Sequence, residues 1–154
     1  MTAEIIESLL ECELFKNLTA QEIKPLSPLC RLETYEAGTA TFKQGEKGSR
    51  IFIITAGQVT LERTVDLGER KAHVRITTLG SGRAFGSWSV LLGESHTLMS
   101  TAFCNRKADV ISIDASALRA ALQDNPAVGF KVMENLARLL GDRLQGVYGA
   151  MERI

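Results

Sequence analysis

Gly80-Ser-Gly-Arg-Ala-Phe85-Gly86-Ser87-Trp88-Ser-Val-Leu-Leu92-Gly93-Glu-Ser-His96-Thr97-Leu-Met-Ser-Thr-Ala102-Phe103-Cys104 is the stretch from which the rest of the chain can be read. Glycines punctuate it at 80, 82, 86 and 93, strand-like residues flank it, and one helical turn of apolar residues, Trp88–Leu92, sits in its middle. Gly86 supplies a permissive backbone and Ser87 a hydroxyl just before that turn, where unpaired N–H groups and the helix dipole favour an anion. Gly93 closes the turn, His96 and Thr97 follow, and Leu98–Phe103 is extended again. A short helix lodged between strands, polar at both ends, has the layout of a phosphate cradle.

Outward from this stretch the pattern is β. Strands are predicted at Arg31–Glu36, Ala40–Lys43, Arg50–Thr55, Gln58–Val65, Lys71–Leu79, Met99–Phe103 and Val110–Asp114, with turns at Ala37-Gly38, Gln44–Ser49, Ala56-Gly57, Asp66–Arg70 and Gly80–Gly82. Short strands at this spacing predict an antiparallel sandwich or barrel. Asn105-Arg106-Lys107 reads as a solvated hairpin tip. Before the strands, Thr2–Cys12 carries Ile5, Ile6, Leu9 and Leu10 at helical spacing. Thr19 and Glu22 have capping-box spacing for a second helix, expected to stop near Pro25–Pro28.

After the strands come helices: Ala115–Gln123, then a long one that Asn125-Pro126 opens as cap and first-turn pair. Pro126–Ile154 would be ~43 Å long at ~1.5 Å per residue. Phe130, Met133, Ala137, Leu140, Leu144, Val147, Met151 and Ile154 follow alternating steps of three and four, the a/d seam of a two-helix coiled coil. Val128, Val132, Leu136 and Leu139 cover the adjacent face and are expected to lie on the sheet. Gly141, Gly146 and Gly149 each cost about 1 kcal/mol against alanine but permit close approach. A helix folded wholly onto its own domain is the alternative to the dimer.

The 154 residues allow one domain, 1–125, with an appended helix, 126–154, in the same structural unit. Hydrophobic residues make up 45% and charged ones 23%, enough apolar content for a core and too little charge for a disordered chain. Lys+Arg and Asp+Glu both number 18, so the basic footprint of a nucleic-acid binder is missing. No apolar run approaches the ~20 residues of a membrane span, and residues 1–15 lack a basic leader. A cytoplasmic protein is the expectation. Cys12, Cys30 and Cys104 are widely spaced with no Cys-x-x-Cys, which predicts buried reduced thiols and no metal site. No nucleophile, base and orienting acid fall together, so the chain does not read as an enzyme.

The central stretch resembles the phosphate-binding cassette of the cyclic nucleotide-binding domain family, whose pattern is Phe-Gly-Glu, an apolar helical turn, Gly, then Arg and a small residue. Phe85, Gly86, Gly93, Thr97 and Ala102 match. Ser87 stands where the family's Glu grips a ribose hydroxyl, and His96 where its Arg neutralises the cyclic phosphate. The resemblance covers nearly the whole chain and implies a mainly β, α+β fold: an antiparallel jelly roll, or double-stranded β-helix, flanked by N-terminal helices and a long C-terminal helix. It implies that Phe85, Gly86, Ser87, Trp88, His96 and Thr97 line a ligand site. Along Arg143-Leu144-Gln145, it sets Val147 and Tyr148 where the bacterial catabolite activators place a Thr-Ser pair against adenine.

Several positions carry two readings. Trp88 is a packing residue of the cassette helix or a platform for a base. His96 is a loop histidine or an anion contact, and a weaker one than Arg, because its imidazole titrates near pH ~6.5. His73 reads as structural or solvent-facing, and a haem ligand on this fold has only two histidines to draw on. No cofactor is required. The ligand would be a small anion, cyclic AMP or cyclic GMP among them, weakened by Ser87 and His96. The partners would be a second copy through Met133, Ala137, Leu140, Leu144, Val147 and Met151, and a protein effector, since no output domain follows the long helix before Ile154. The competing reading is a dimeric interaction module with a vestigial pocket.

Overall fold

Arg50–Ala56 is the innermost strand of the protein, and its sequence explains why. Ile51, Phe52, Ile53 and Ile54 are all buried, so both faces of the strand need cover. In the computed structural model, which describes residues 2–153, two four-stranded antiparallel sheets supply one cover and the helices the other. The strands are β1 (Cys30–Tyr35), β2 (Ala40–Phe42), β3 (Arg50–Ala56), β4 (Val59–Asp66), β5 (Lys71–Leu79), β6 (Ala84–Gly86), β7 (Thr101–Cys104) and β8 (Ala108–Asp114). One sheet runs β1-β8-β3-β6 and the other β2-β7-β4-β5. This is the predicted jelly-roll sandwich.

Strand alternation divides the apolar residues into two cores. Phe52, Ile54, Val110, Val59, Leu61 and Phe85 point between the sheets, where the rings of Phe42, Phe52 and Phe85 have centroids 5.2–6.0 Å apart. Ile51, Ile53, Ile111 and Ile113 point outward, beneath the helices α1 (Thr2–Leu10), α2 (Ala20–Ile23), α4 (Ala115–Asp124) and α5 (Pro126–Met151). Val128, Val132, Leu136 and Leu139 of α5 join this second core, as the inner face of the long helix predicts.

Two local readings change. The strand β6 is not among the predicted strands, because three residues are too few to display alternation; it is held by pairing with β3 at Ile51↔Gly86, Phe52↔Phe85 and Ile53↔Ala84. The second helix stops at Ile23, just before Pro25, as the sequence predicts. The capping box of Thr19 and Glu22 opens α2, and a 3-10 turn, Lys24–Leu29, then carries both prolines. Pro25 falls in the first turn, where a missing N–H costs no bond within the helix. The strand expected at Met99 begins at Thr101.

The long helix is fastened to its own domain along its length. Asn135 donates its amide to the carbonyls of Leu14 (3.0 Å) and Lys16 (2.8 Å), and Lys131 pairs with Glu22 at 3.2 Å. Further on, α5 crosses β5, where a Cβ on Gly146 would stand 3.0 Å from the Ile76 carbonyl oxygen. Gly146 therefore does permit a close approach. The predicted seam faces elsewhere: Phe130, Ala137, Leu144, Val147 and Met151 are exposed, while Met133 and Leu140 are half-buried against the second core. Ile154 lies outside the described residues.

Candidate functional site

A cavity of about 410 Å³ opens where the cassette, the β4–β5 pair and α5 meet, within the range of roughly 300–1,000 Å³ usual for small-molecule sites. The register of β4 against β5 slips between Leu61↔Thr77 and Glu62↔Arg75, so Ile76 has no partner of its own. That bulge bends β5 and leaves Ile76 in the cavity wall beside Leu61 and Arg63 of β4. The opposite walls are Phe85, Gly86 and Trp88 of the cassette and Leu140, Arg143 and Val147 of α5.

The cassette turns at Gly86, whose φ of +135° and contact with the Arg50 carbonyl leave no room for a side chain. The next amide, Ser87, donates to the Arg50 oxygen at 2.9 Å, and the short helix α3 (Trp88–Leu91) follows as predicted. The Ser87 side chain behaves differently from the expectation. It makes no cap bond, is only 2% exposed, and its hydroxyl lies buried without a partner. It is wedged against Gly48, where a Cβ would stand 2.9 Å from its Oγ and 2.8 Å from the Leu98 side chain. Ser87 is therefore outside the cavity lining.

The far end of the cassette is tied to the loop after β2. Thr97 bridges to Lys47, Gly45 donates to the Leu98 carbonyl at 2.9 Å, and Leu98 donates to that of Glu46 at 2.7 Å. His96 and Thr97 both reach the cavity. His96 is exposed, its Nε2 3.7 Å from a Glu94 oxygen. Trp88 fills both of its readings at once, since it is half-buried against the helical core and lines the cavity. Val147 lines the cavity; Tyr148 does not, and is 58% exposed. His73 is exposed on β5 beside the Thr64 hydroxyl. No cluster of three or more potential metal ligands exists among the described residues.

Two cavity residues were not singled out from the sequence. Arg63 lies on β4 and donates to the Met99 carbonyl at the cassette exit. Arg143 of α5 is 8% exposed; it donates to the Ala84 carbonyl at 2.6 Å and to Glu13 Oε2 at 3.1 Å, while its Nε is buried without a partner. Burial lowers its pKa and Glu13 acts against that. The same Glu13 oxygen also accepts from Arg83 Nε (3.1 Å) and the Ala84 amide (2.8 Å), so one carboxylate joins β6 to α5. Both arginines had a signal. Arg63 continues the inward parity of Val59 and Leu61, and Arg143 continues the inner stripe of α5 after Leu136 and Leu139. A charge on a buried stripe marks either a pair or a site.

The sequence model described as the cyclic nucleotide-binding domain matches residues 32–125, more than half of the chain. The chain belongs to the cyclic nucleotide-binding domain family. Among curated relatives, Glutaminase 1 of Bradyrhizobium diazoefficiens is 29% identical over 136 residues, 88% of this chain and 21% of that one. The CRP-like cAMP-activated global transcriptional regulator of Mycobacterium tuberculosis is 27% identical over 134 residues, 87% of this chain and 58% of that one. The chain thus spans less than two thirds of either relative. A solved cyclic nucleotide-binding domain from Methylobacillus flagellatus superposes with a TM-score of 0.78 at 20% identity, covering 99% of this chain and 82% of that one. Against the cyclic nucleotide-binding pattern, this member keeps the glycines that shape the cassette and changes both side chains expected to hold ribose and phosphate. No helix among the described residues is long and apolar enough to cross a membrane.

Proposed function

We propose that this domain is a ligand-sensing regulatory module whose cavity takes a small anion, a cyclic nucleotide being the first candidate, and whose output face is α5. One observation carries the reading: Leu140, Arg143 and Val147 of α5 form a wall of the cavity. A ligand that binds one setting of that helix better than another shifts its population with no further relay. The exposed seam of Phe130, Leu144 and Met151 supports a second copy as the partner through which α5 acts, with a protein effector responding to the pair. Calorimetric titration with cyclic AMP and cyclic GMP, at pH ~6 and ~8 on either side of the imidazole's ordinary value, tests this. Saturable binding with a one-per-chain stoichiometry is the expected result. Absence of heat at both pH values, with the protein folded, removes the cyclic-nucleotide ligand.

The second reading, an interaction module with a vestigial pocket, has its own support in Ser87. Its hydroxyl is buried beside Gly48, and Ser87 is not among the residues that line the cavity. Ser87→Glu together with His96→Arg restores the family's two ligand-holding groups, but the longer side chain at 87 has to displace Leu98. A large gain in cyclic-nucleotide affinity favours an open cassette that lacks only its side chains. No gain, in a folded variant, favours the interaction module.

A further inference from the structure

The cavity contains a charge that no carboxylate among the described residues balances. Its lining holds Arg63, His96 and Arg143 and no carboxylate. Arg143 is already compensated by Glu13 at 3.1 Å and Asp142 at 3.3 Å. His96 is largely exposed and has Glu94 beside it, its Nε2 3.7 Å from the carboxylate. Arg63 differs from both. It is half-buried, its one hydrogen bond is to the Met99 carbonyl, and it pairs with no carboxylate among the described residues. A guanidinium has five N–H donors in a planar fork that suits phosphate and carboxylate. Here Arg63 lines the cavity beside the apolar side chains of Phe42, Leu61, Ile76 and Phe85.

We infer that Arg63 is the anion-holding residue of this cavity. From β4 it reaches the cassette exit, and there it supplies the fixed positive charge that the cassette itself lacks at His96. The ligand it selects has one anionic group, a phosphate ester or its equivalent, on a flat apolar body that fits between Trp88 and the aromatic walls. This rests on the cavity being a ligand site and adds which residue holds the charge. It also sets the expected pH behaviour: an arginine stays charged at any physiological pH, so binding persists at pH ~8.

Trp88 is the single tryptophan of the chain and lines the cavity, so its emission reports occupancy directly. Wild type, Arg63→Gln, Arg63→Lys and His96→Gln are each titrated with cyclic AMP, cyclic GMP, adenosine, guanosine and anilinonaphthalene sulfonate, at pH ~6 and ~8. Thermal melts check that each variant is folded. The expected result is that Arg63→Gln weakens the anionic ligands about tenfold or more, as loss of a charge-assisted contact does. It leaves the uncharged nucleosides unchanged, Arg63→Lys retains part of the affinity, and His96→Gln keeps the binding at the higher pH. Equal affinity of wild type and Arg63→Gln for every anion overturns the assignment. So does binding of anions that His96→Gln abolishes and Arg63→Gln does not. If the sulfonate binds in an Arg63-dependent way and neither cyclic nucleotide does, the anion-holding role stands and the cyclic-nucleotide reading falls. If no anion enters, both fall.

Discussion

A Cβ at position 86 would overlap the Arg50 carbonyl oxygen and stand 3.0 Å from the Ile51 Cα, on a backbone already at φ +135°. Gly86→Ala is expected to cost about 2 kcal/mol or more in urea unfolding, from strain and from the shift forced on β3. Gly80→Ala is the control. Nothing lies within 4 Å of that position, and the change should stay within about 0.5 kcal/mol. Cysteine chemistry is legible at the same scale. Burial pushes the Cys12 thiol up to about 12 and that of Cys30 to about 11. Because these folded values lie above the ordinary 9.0, their contribution to stability is complete below pH 9.0 and is lost as pH rises toward them. Cys12→Ala should therefore lower stability by about 1 kcal/mol at neutral pH, by lost packing, yet flatten its decline above pH 9.0. Urea titrations at a series of alkaline pH values measure both effects. Gly86 could be read from the sequence because a permissive backbone is a property of one residue. The orientation of Ser87 could not, because it depends on Gly48 and Leu98, brought there by two different loops.

Elements are held to one another here by a few polar bolts laid across apolar contacts. The most consequential is the Glu13 carboxylate, which collects Arg83, the Ala84 amide and Arg143. Glu13→Ala is expected to cost about 3 kcal/mol, since it leaves the buried Arg143 guanidinium with only the exposed Asp142. Glu13→Ala combined with Arg143→Leu should cost clearly less than the two single changes added together, a coupling that chemical unfolding of the four proteins reads out. This bolt joins the 3-10 turn Glu13–Phe15 to β6 and α5, with Glu13 separated by 71 residues from Ala84 and by 130 from Arg143. Periodicity marks elements one at a time. It revealed both faces of α5 and six of the strands nearly in full, but it is blind to β6, whose existence is a matter of pairing with β3.

For the whole molecule, the sandwich was legible because turn glycines and alternating strands are repeated along the chain, and an error in one strand leaves the pattern of the others intact. The cavity was only half legible. Its cassette wall is one continuous stretch, whereas its β4, β5 and α5 walls are assembled by the fold, with a bulge at Ile76 that no alternation foretells. Self-association belongs to this scale. Leu144 is 50% exposed on the seam, and Val132, Leu136 and Leu139 hold α5 to its own domain from the other side. Leu144→Asp is therefore expected to halve the sedimenting mass while leaving the thermal transition of the chain in place. A wild-type protein that already sediments as one chain would sink the seam assignment.

Val147 belongs to both surfaces of the long helix: it lines the cavity and stands 36% exposed on the seam. One side chain thus answers to two selections. If α5 pairs as proposed, any drift at this position that reshapes what the cavity admits also alters the ridge offered to a second copy, and ligand preference and self-association would be inherited together. An engineer who retunes the cavity from the α5 side should expect to have redesigned the ridge as well, whereas changes made from β4 leave it untouched.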